Sequence, residues 1–147
     1  MNSYKALLKV RRWKRDLAIA VVQNTQQEIS VLLGKIDELA QAIHRWTAAR
    51  KQLQHGIVKI DLWQANEAYR NRLLDSHRQL EDEVNTLETR LARERALLLE
   101  QEVAVKQIEK LIEKEGREQA FRSNATEQQT IDDWASLQAS TSRTTRP

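Results

Sequence analysis

Apolar residues recur along most of this chain at alternating steps of three and four, and this spacing constrains the fold more than any other feature. In a first arm Ile29, Leu32, Ile36, Leu39, Ile43, Trp46, Arg50 and Leu53 fall on the pattern, with Arg50 the polar exception. In a second arm the same rule takes in Leu73, His77, Leu80, Val84, Leu87, Leu91, Glu94, Leu98, Gln101, Val105, Ile108 and Ile112. A strand alternates every two residues, and a helix on a thick globular core shows a broader apolar face. Sustained 3-4 spacing is the narrow seam of a coiled coil. Composition agrees. The chain has 147 residues with three Gly and one Pro, too few of the residues that tight turns demand for an all-β or α/β fold. Charged residues are 31% and aromatics 5%, a mixture of helix formers with little from which to build a thick core.

Between the arms lies the stretch Gln54 to Asp61. Gly56 suits the position just past a helix end, and Asp61 with Gln64 suits a helix start. The chain is therefore expected to reverse there. Arithmetic tests that expectation, because facing residues in an antiparallel hairpin have numbers with a constant sum. Leu53 with Trp63, Ile43 with Leu73, Leu39 with His77, Ile36 with Leu80, Leu32 with Val84 and Ile29 with Leu87 all give 116. Farther from the turn, Asn24 with Leu91, Val21 with Glu94, Leu17 with Leu98, Val10 with Val105 and Leu7 with Ile108 give 115, which predicts a one-residue slip near Glu28. Residues 1–55 carry ten Lys/Arg against four Asp/Glu and the remainder fourteen against seventeen, so the arms are +6 and −3. Opposite charge favours pairing of the arms within one chain.

The expected fold is thus all-α, a two-helix antiparallel coiled-coil hairpin with a longer second helix. As a single domain it has helix one at about 3–55, a turn at 56–61, helix two at about 62–139 and a disordered polar tail at 140–147. Glu94 and Gln101 on the seam are expected to specify register, His77 to form a polar layer, and Gly34 to be tolerated within its helix. Residue 1 would face about residue 114, so the second helix outruns the first. Its extension from Arg117 to Ala139 carries a sparse apolar set, Ala120, Phe121, Ile131, Trp134, Ala135 and Leu137.

Function classes narrow by exclusion. The chain has no Cys, so disulfides, thiolate metal sites and a cysteine nucleophile are out. The N-terminal apolar run, Leu17 to Val22, is too short to span a bilayer and no small-residue cleavage site follows, so a soluble cytoplasmic chain is expected. His44, His55 and His77 share no ligand spacing, and neither HExxH nor a Gly-rich phosphate loop is present. The expectation is a protein that is not an enzyme, with no cofactor and no metal, monomeric on its own. A parallel homodimer of continuous helices is the competing architecture.

Two clusters remain as candidate contact surfaces. Lys5, Lys9, Arg11, Arg12, Lys14 and Arg15 fall in the first fifteen residues with no acid among them. The plain alternative is a solvated helix face. Nucleic acid is disfavoured by the net charge of only +3 and by the hairpin geometry. A membrane surface is disfavoured by a weak apolar moment, while a basic rod end held in an acidic protein ring fits. Trp46, Trp63, Tyr69 and Leu73 lie near the closed end. They either fill the seam or anchor a partner.

The hairpin architecture, the Gly56-Ile57 turn, the run Trp63, Tyr69 and Leu73 after it, and the ending Ile131-Asp132-Asp133-Trp134-Ala135 together resemble the FliJ family of flagellar export proteins over about residues 5–137. The injectisome stalk proteins of type III secretion are close relatives. The chain departs from the family in its alanines at Ala42, Ala48 and Ala49 and in its basic start. The resemblance implies a non-enzymatic stalk, similar to the coiled-coil part of the rotary ATPase γ subunit, in the hexameric export ATPase. It also implies contact with the cytoplasmic linker of the export gate, binding of export chaperones, and a cytoplasmic location peripheral to the inner membrane. Under it, the basic end enters the ring and the aromatic closed end faces the gate. A general coiled-coil adaptor of another bacterial complex is the competing reading, with a nucleic-acid binder behind it.

Overall fold

The computed structural model describes residues 2–53 and 60–144, and all of them are helical. Helix α1 is Asn2–Leu53 and helix α2 is Ile60–Thr144. The all-α two-helix hairpin expected from the spacing is the observed fold, with no strand among the described residues. The reversal at Gly56 lies outside the described residues. Asp61 falls inside the first turn of α2 rather than at its cap, where its charge still complements the helix dipole. Arg50 and Lys51 do the same in the last turn of α1. Helix α2 continues to Thr144, through part of the tail expected to be disordered.

The chain divides into two compact units, one of Met1–Trp13 with Glu102–Pro147 and the other of Lys14–Gln101. In the second unit Val22 and Ile29 of α1 cluster with Val84 and Leu91 of α2, and Leu32, Ile36, Leu87 and Leu98 pack around them. Every described seam residue expected from Ile29 to Arg50 and from Leu73 to Gln101 is buried or half-buried. Burying a side chain of this size contributes roughly 1.5–3 kcal/mol, so a thin seam gains by length what it lacks in depth.

The slip near Glu28 does not occur. On α1 the covered positions are Leu8, Arg11, Arg15, Ala18, Val22, Thr25, Ile29, Leu32 and onward, an unbroken 3-4 series. Leu7, Val10, Leu17 and Val21, expected on the seam, are 42–48% exposed. Two apolar stripes one residue apart compete in this part of α1. The one in phase with the rest of the helix wins, because inserting a residue into a heptad array distorts the supercoil of both helices. It does so at the cost of taking Thr25 inside, 0% exposed. That cost is offset because the Thr25 hydroxyl accepts a hydrogen bond from Arg90 Nη2 at 3.1 Å.

In the first unit Val105 and Ile108 are buried, with Leu8, Arg11 and Ile112 half-buried. Beyond Glu115 the seam ends. Its continuation would pass through Gln119, Arg122, Thr126, Gln129, Asp133 and Ser136, all polar, and every described residue from Gly116 to Ser142 is exposed. Bonds one turn apart run along this extension: Thr126 donates to the Arg122 carbonyl, Thr130 to the Thr126 carbonyl, and Gln128 to the Asp132 carboxylate.

Candidate functional site

The basic start of α1 splits in its roles. Arg11 and Arg15 occupy seam positions and are half-buried. Arg15 Nη2 lies 3.1 Å from Asp16 Oδ1, the acid just past the cluster. Arg12 Nη2 reaches Glu109 Oε1 of α2 at 3.2 Å. Both partners of that pair are about half exposed, so it orients the arms more than it stabilises them. Lys5, Lys9 and Lys14 are exposed and form no ion pair among the described residues. These three lysines, rather than all six cations, are free to meet a partner.

The closed-end aromatics are largely committed to one another. Arg50 Cζ sits 4.5 Å from the Trp63 ring centroid and 5.5 Å from that of Trp46. Arg70 Cζ lies 5.8 Å from the Trp46 ring. Glu67 completes the cluster, with Oε1 2.9 Å from Arg50 Nη2 and Oε2 3.8 Å from Arg70 Nη1. Each ring faces a cation that is itself paired, an arrangement worth about 0.5–2 kcal/mol per contact depending on desolvation. Arg50, the exception to the apolar seam, is therefore a seam residue held between tryptophans. Trp46, Trp63 and Leu73 are half-buried, whereas Tyr69 is 48% exposed. Ile60 and Leu62, which the spacing did not single out, are exposed beside it in sequence at 74% and 51%.

A polar layer crosses the middle of the second unit. Arg90 Nη2 serves Thr25 and lies 3.3 Å from Glu28 Oε1, while Arg90 Nε donates to Glu94 Oε1 at 3.0 Å. Glu94 and Gln101 are half-buried at seam positions. His77 is half-buried too, with Nδ1 3.3 Å from Glu81 Oε1.

The C-terminal element is uncovered. Ile131 and Trp134 are 58% and 61% exposed, and Asp132, Asp133 and Ala135 are exposed as well. Ile131, Trp134 and Ala135 share a face by their i, i+3, i+4 spacing. Sequence reasoning missed Trp13, 62% exposed among the free lysines. Its signal was the heptad phase. Counted from the unbroken series, residue 13 lies on the outermost line of α1.

Among the described residues no helix is long and apolar enough to cross a membrane, and no group of three or more His, Asp or Glu could hold a metal ion. A family model described as flagellar FliJ protein matches residues 1–144. No curated protein and no solved structure matches the chain.

Proposed function

The chain belongs to the flagellar FliJ family, non-catalytic components of the flagellar export apparatus, and we propose that it serves there as the central stalk of the hexameric export ATPase. In this reading the basic start of α1 and the extension of α2 enter the ring. The closed end, through Tyr69 with the exposed Ile60 and Leu62, meets the cytoplasmic linker of the export gate. The C-terminal element Ile131, Asp132, Asp133, Trp134 and Ala135 goes into the ring with the extension, and export chaperones are further partners. The protein works in the cytoplasm and reaches the inner membrane through the apparatus.

The observation that carries this reading is the extension of α2. It is helical through Ser142 with its apolar residues uncovered: Phe121 is 77% and Leu137 66% exposed. A helix whose apolar residues stay in water gains little from packing, so this length of α2 is suited to a surface supplied by another protein. The lysines at the start of α1 add a long-range attraction that orients without locking, as a part that turns within a ring requires.

The test is capture by the hexameric export ATPase and stimulation of its ATP hydrolysis. Lys5→Glu with Lys9→Glu is a sharper variant than Arg11→Glu with Arg12→Glu, because Arg11 is half-buried and Arg12 is paired with Glu109. Capture by the ring should fall by about tenfold or more, with helix content unchanged. Full capture and full stimulation by this variant would remove the basic end from the mechanism.

A further inference from the structure

The unbroken seam places Leu8 and Arg11 against α2 and turns their apolar neighbours outward. Leu7, Val10 and Trp13 are 42%, 48% and 62% exposed. On a helix these three lie within one arc of about 120°, which Ser3 and Ala6 also occupy, and Lys9 and Lys5 follow along one edge of it. On the same unit Tyr4 continues the seam series of α1 and shares a groove with Leu111, Lys114, Glu115 and Glu118 of α2, so that acid-lined groove lies apart from this arc. Residues 2–13 contain four cations and no anion.

We propose that this face docks the protein directly on an anionic bilayer surface, with Leu7, Val10 and Trp13 entering the headgroup boundary and Lys5 and Lys9 engaging lipid phosphates. An exposed apolar arc edged by cations and carrying a tryptophan is the composition of an interfacial helix. Anionic lipid attracts each nearby lysine, and the indole ring suits the headgroup level. Nucleic acid matches the cations but gives Leu7 and Val10 nothing to bury against. The sequence suggests only a weak apolar moment here, but the structure leaves Leu7 and Val10, which were expected on the seam, in water. A second tryptophan supplies the contrast. Trp134 is 61% exposed in the same unit but stands beside Asp132 and Asp133, which an anionic surface repels.

This inference does not rest on the stalk reading. The ring and the bilayer would compete for the same lysines, and the two readouts are separate. The test is flotation of the full chain with phosphatidylcholine vesicles, with and without phosphatidylglycerol. Binding is expected only to the vesicles containing phosphatidylglycerol and should weaken as salt is added. Trp13→Ser should lower partitioning about tenfold, and Lys5→Glu with Lys9→Glu at least as much, while Trp134→Ser leaves it unchanged. Trp13 is exposed, so its replacement leaves the fold intact, which circular dichroism checks. Equal binding to vesicles without anionic lipid, no binding to either, or equal loss with Trp134→Ser overturns the proposal. So does tight binding of duplex DNA with a steep salt slope together with vesicle binding indifferent to Trp13→Ser, which would assign the cations to nucleic acid.

Discussion

From Leu73 to Glu115 each seam position of α2 is covered, yet from Gly116 to Ser142 every described residue of the same helix is exposed. The backbone is helical through both stretches, so the difference is one of partnership alone. In the covered stretch Val84, Leu91, Val105 and Ile108 are 3–8% exposed. In the extension the seam positions turn polar, and the apolar residues move to another face. Helix propensity and bonds within a turn are enough to describe a helix, but they make it only marginally stable. Stability in the covered stretch comes from α1. In the extension no described residue is covered, and that source is missing.

The strongest way to break this comparison is one buried charge against one exposed charge. Leu91→Asp puts a carboxylate inside the cluster of Val22, Ile29 and Val84. It should cost about 4 kcal/mol or more, a large share of the stability of a domain this size. Ile131→Asp, the same chemistry in the extension, should change stability by less than about 0.5 kcal/mol. Urea unfolding followed by circular dichroism measures both. Comparable losses would mean that the extension is packed against something in the free protein.

Amide exchange sharpens the same contrast without mutation. Amides around Val84, Leu91 and Val105 should exchange only through global opening, whereas those between Phe121 and Leu137 should exchange by local fraying, faster by about two orders of magnitude or more. Adding the ATPase ring or a chaperone should slow the second group selectively if the extension is its docking surface. Uniform protection along α2 in the free chain would contradict the reading of an uncovered extension.

A smaller effect separates two ion pairs between the helices. Arg90 joins Glu28, Glu94 and the fully buried Thr25, while Arg12 joins Glu109 in the open. Arg90→Ala should cost about 1–2 kcal/mol, because it strips the Thr25 hydroxyl of its donor inside the seam. Arg12→Ala should cost no more than about 0.5 kcal/mol. Equal costs would show that the buried hydroxyl finds another partner.

The parts of this fold that were legible share one property: a single apolar stripe with no rival. From Ile29 to Arg50, and along α2 from Leu73 to Ile112, the 3-4 series alone names the covered residues. Glu94, Gln101 and His77 fell where polar layers were expected. Before Glu28 two stripes run side by side, and the more apolar one is the exposed one. Choosing between them required knowing that Arg90 would satisfy Thr25, a contact 65 residues away in sequence. The candidate surfaces depend on the same choice of stripe. Trp13 is outermost, and Arg11 and Arg15 are half-buried, only in the phase that covers Leu8, Ala18 and Val22. At the closed end, spacing put Trp46 and Trp63 near each other but said nothing of Arg50 and Arg70 facing their rings. With those contacts in place, the exposed candidates shift toward Tyr69 and Leu62.

Two glycines carry the comparison to its smallest scale. A methyl group added at Gly34 or at Gly116 would meet nothing within 4 Å, and both residues sit inside continuous helix. Replacing glycine by alanine at such positions favours the helix by about 0.5–1 kcal/mol, through lower backbone entropy in the unfolded chain. Gly34 belongs to the paired unit of Lys14–Gln101, so Gly34→Ala should appear in full in the cooperative transition, as a rise in melting temperature. Gly116 stands where the seam has ended. Gly116→Ala should leave that transition nearly unmoved, and instead raise helix content and slow amide exchange beyond residue 117. A rise in melting temperature equal to that of Gly34→Ala would place Gly116 inside the cooperative structure and extend the paired region past the point where its seam turns polar.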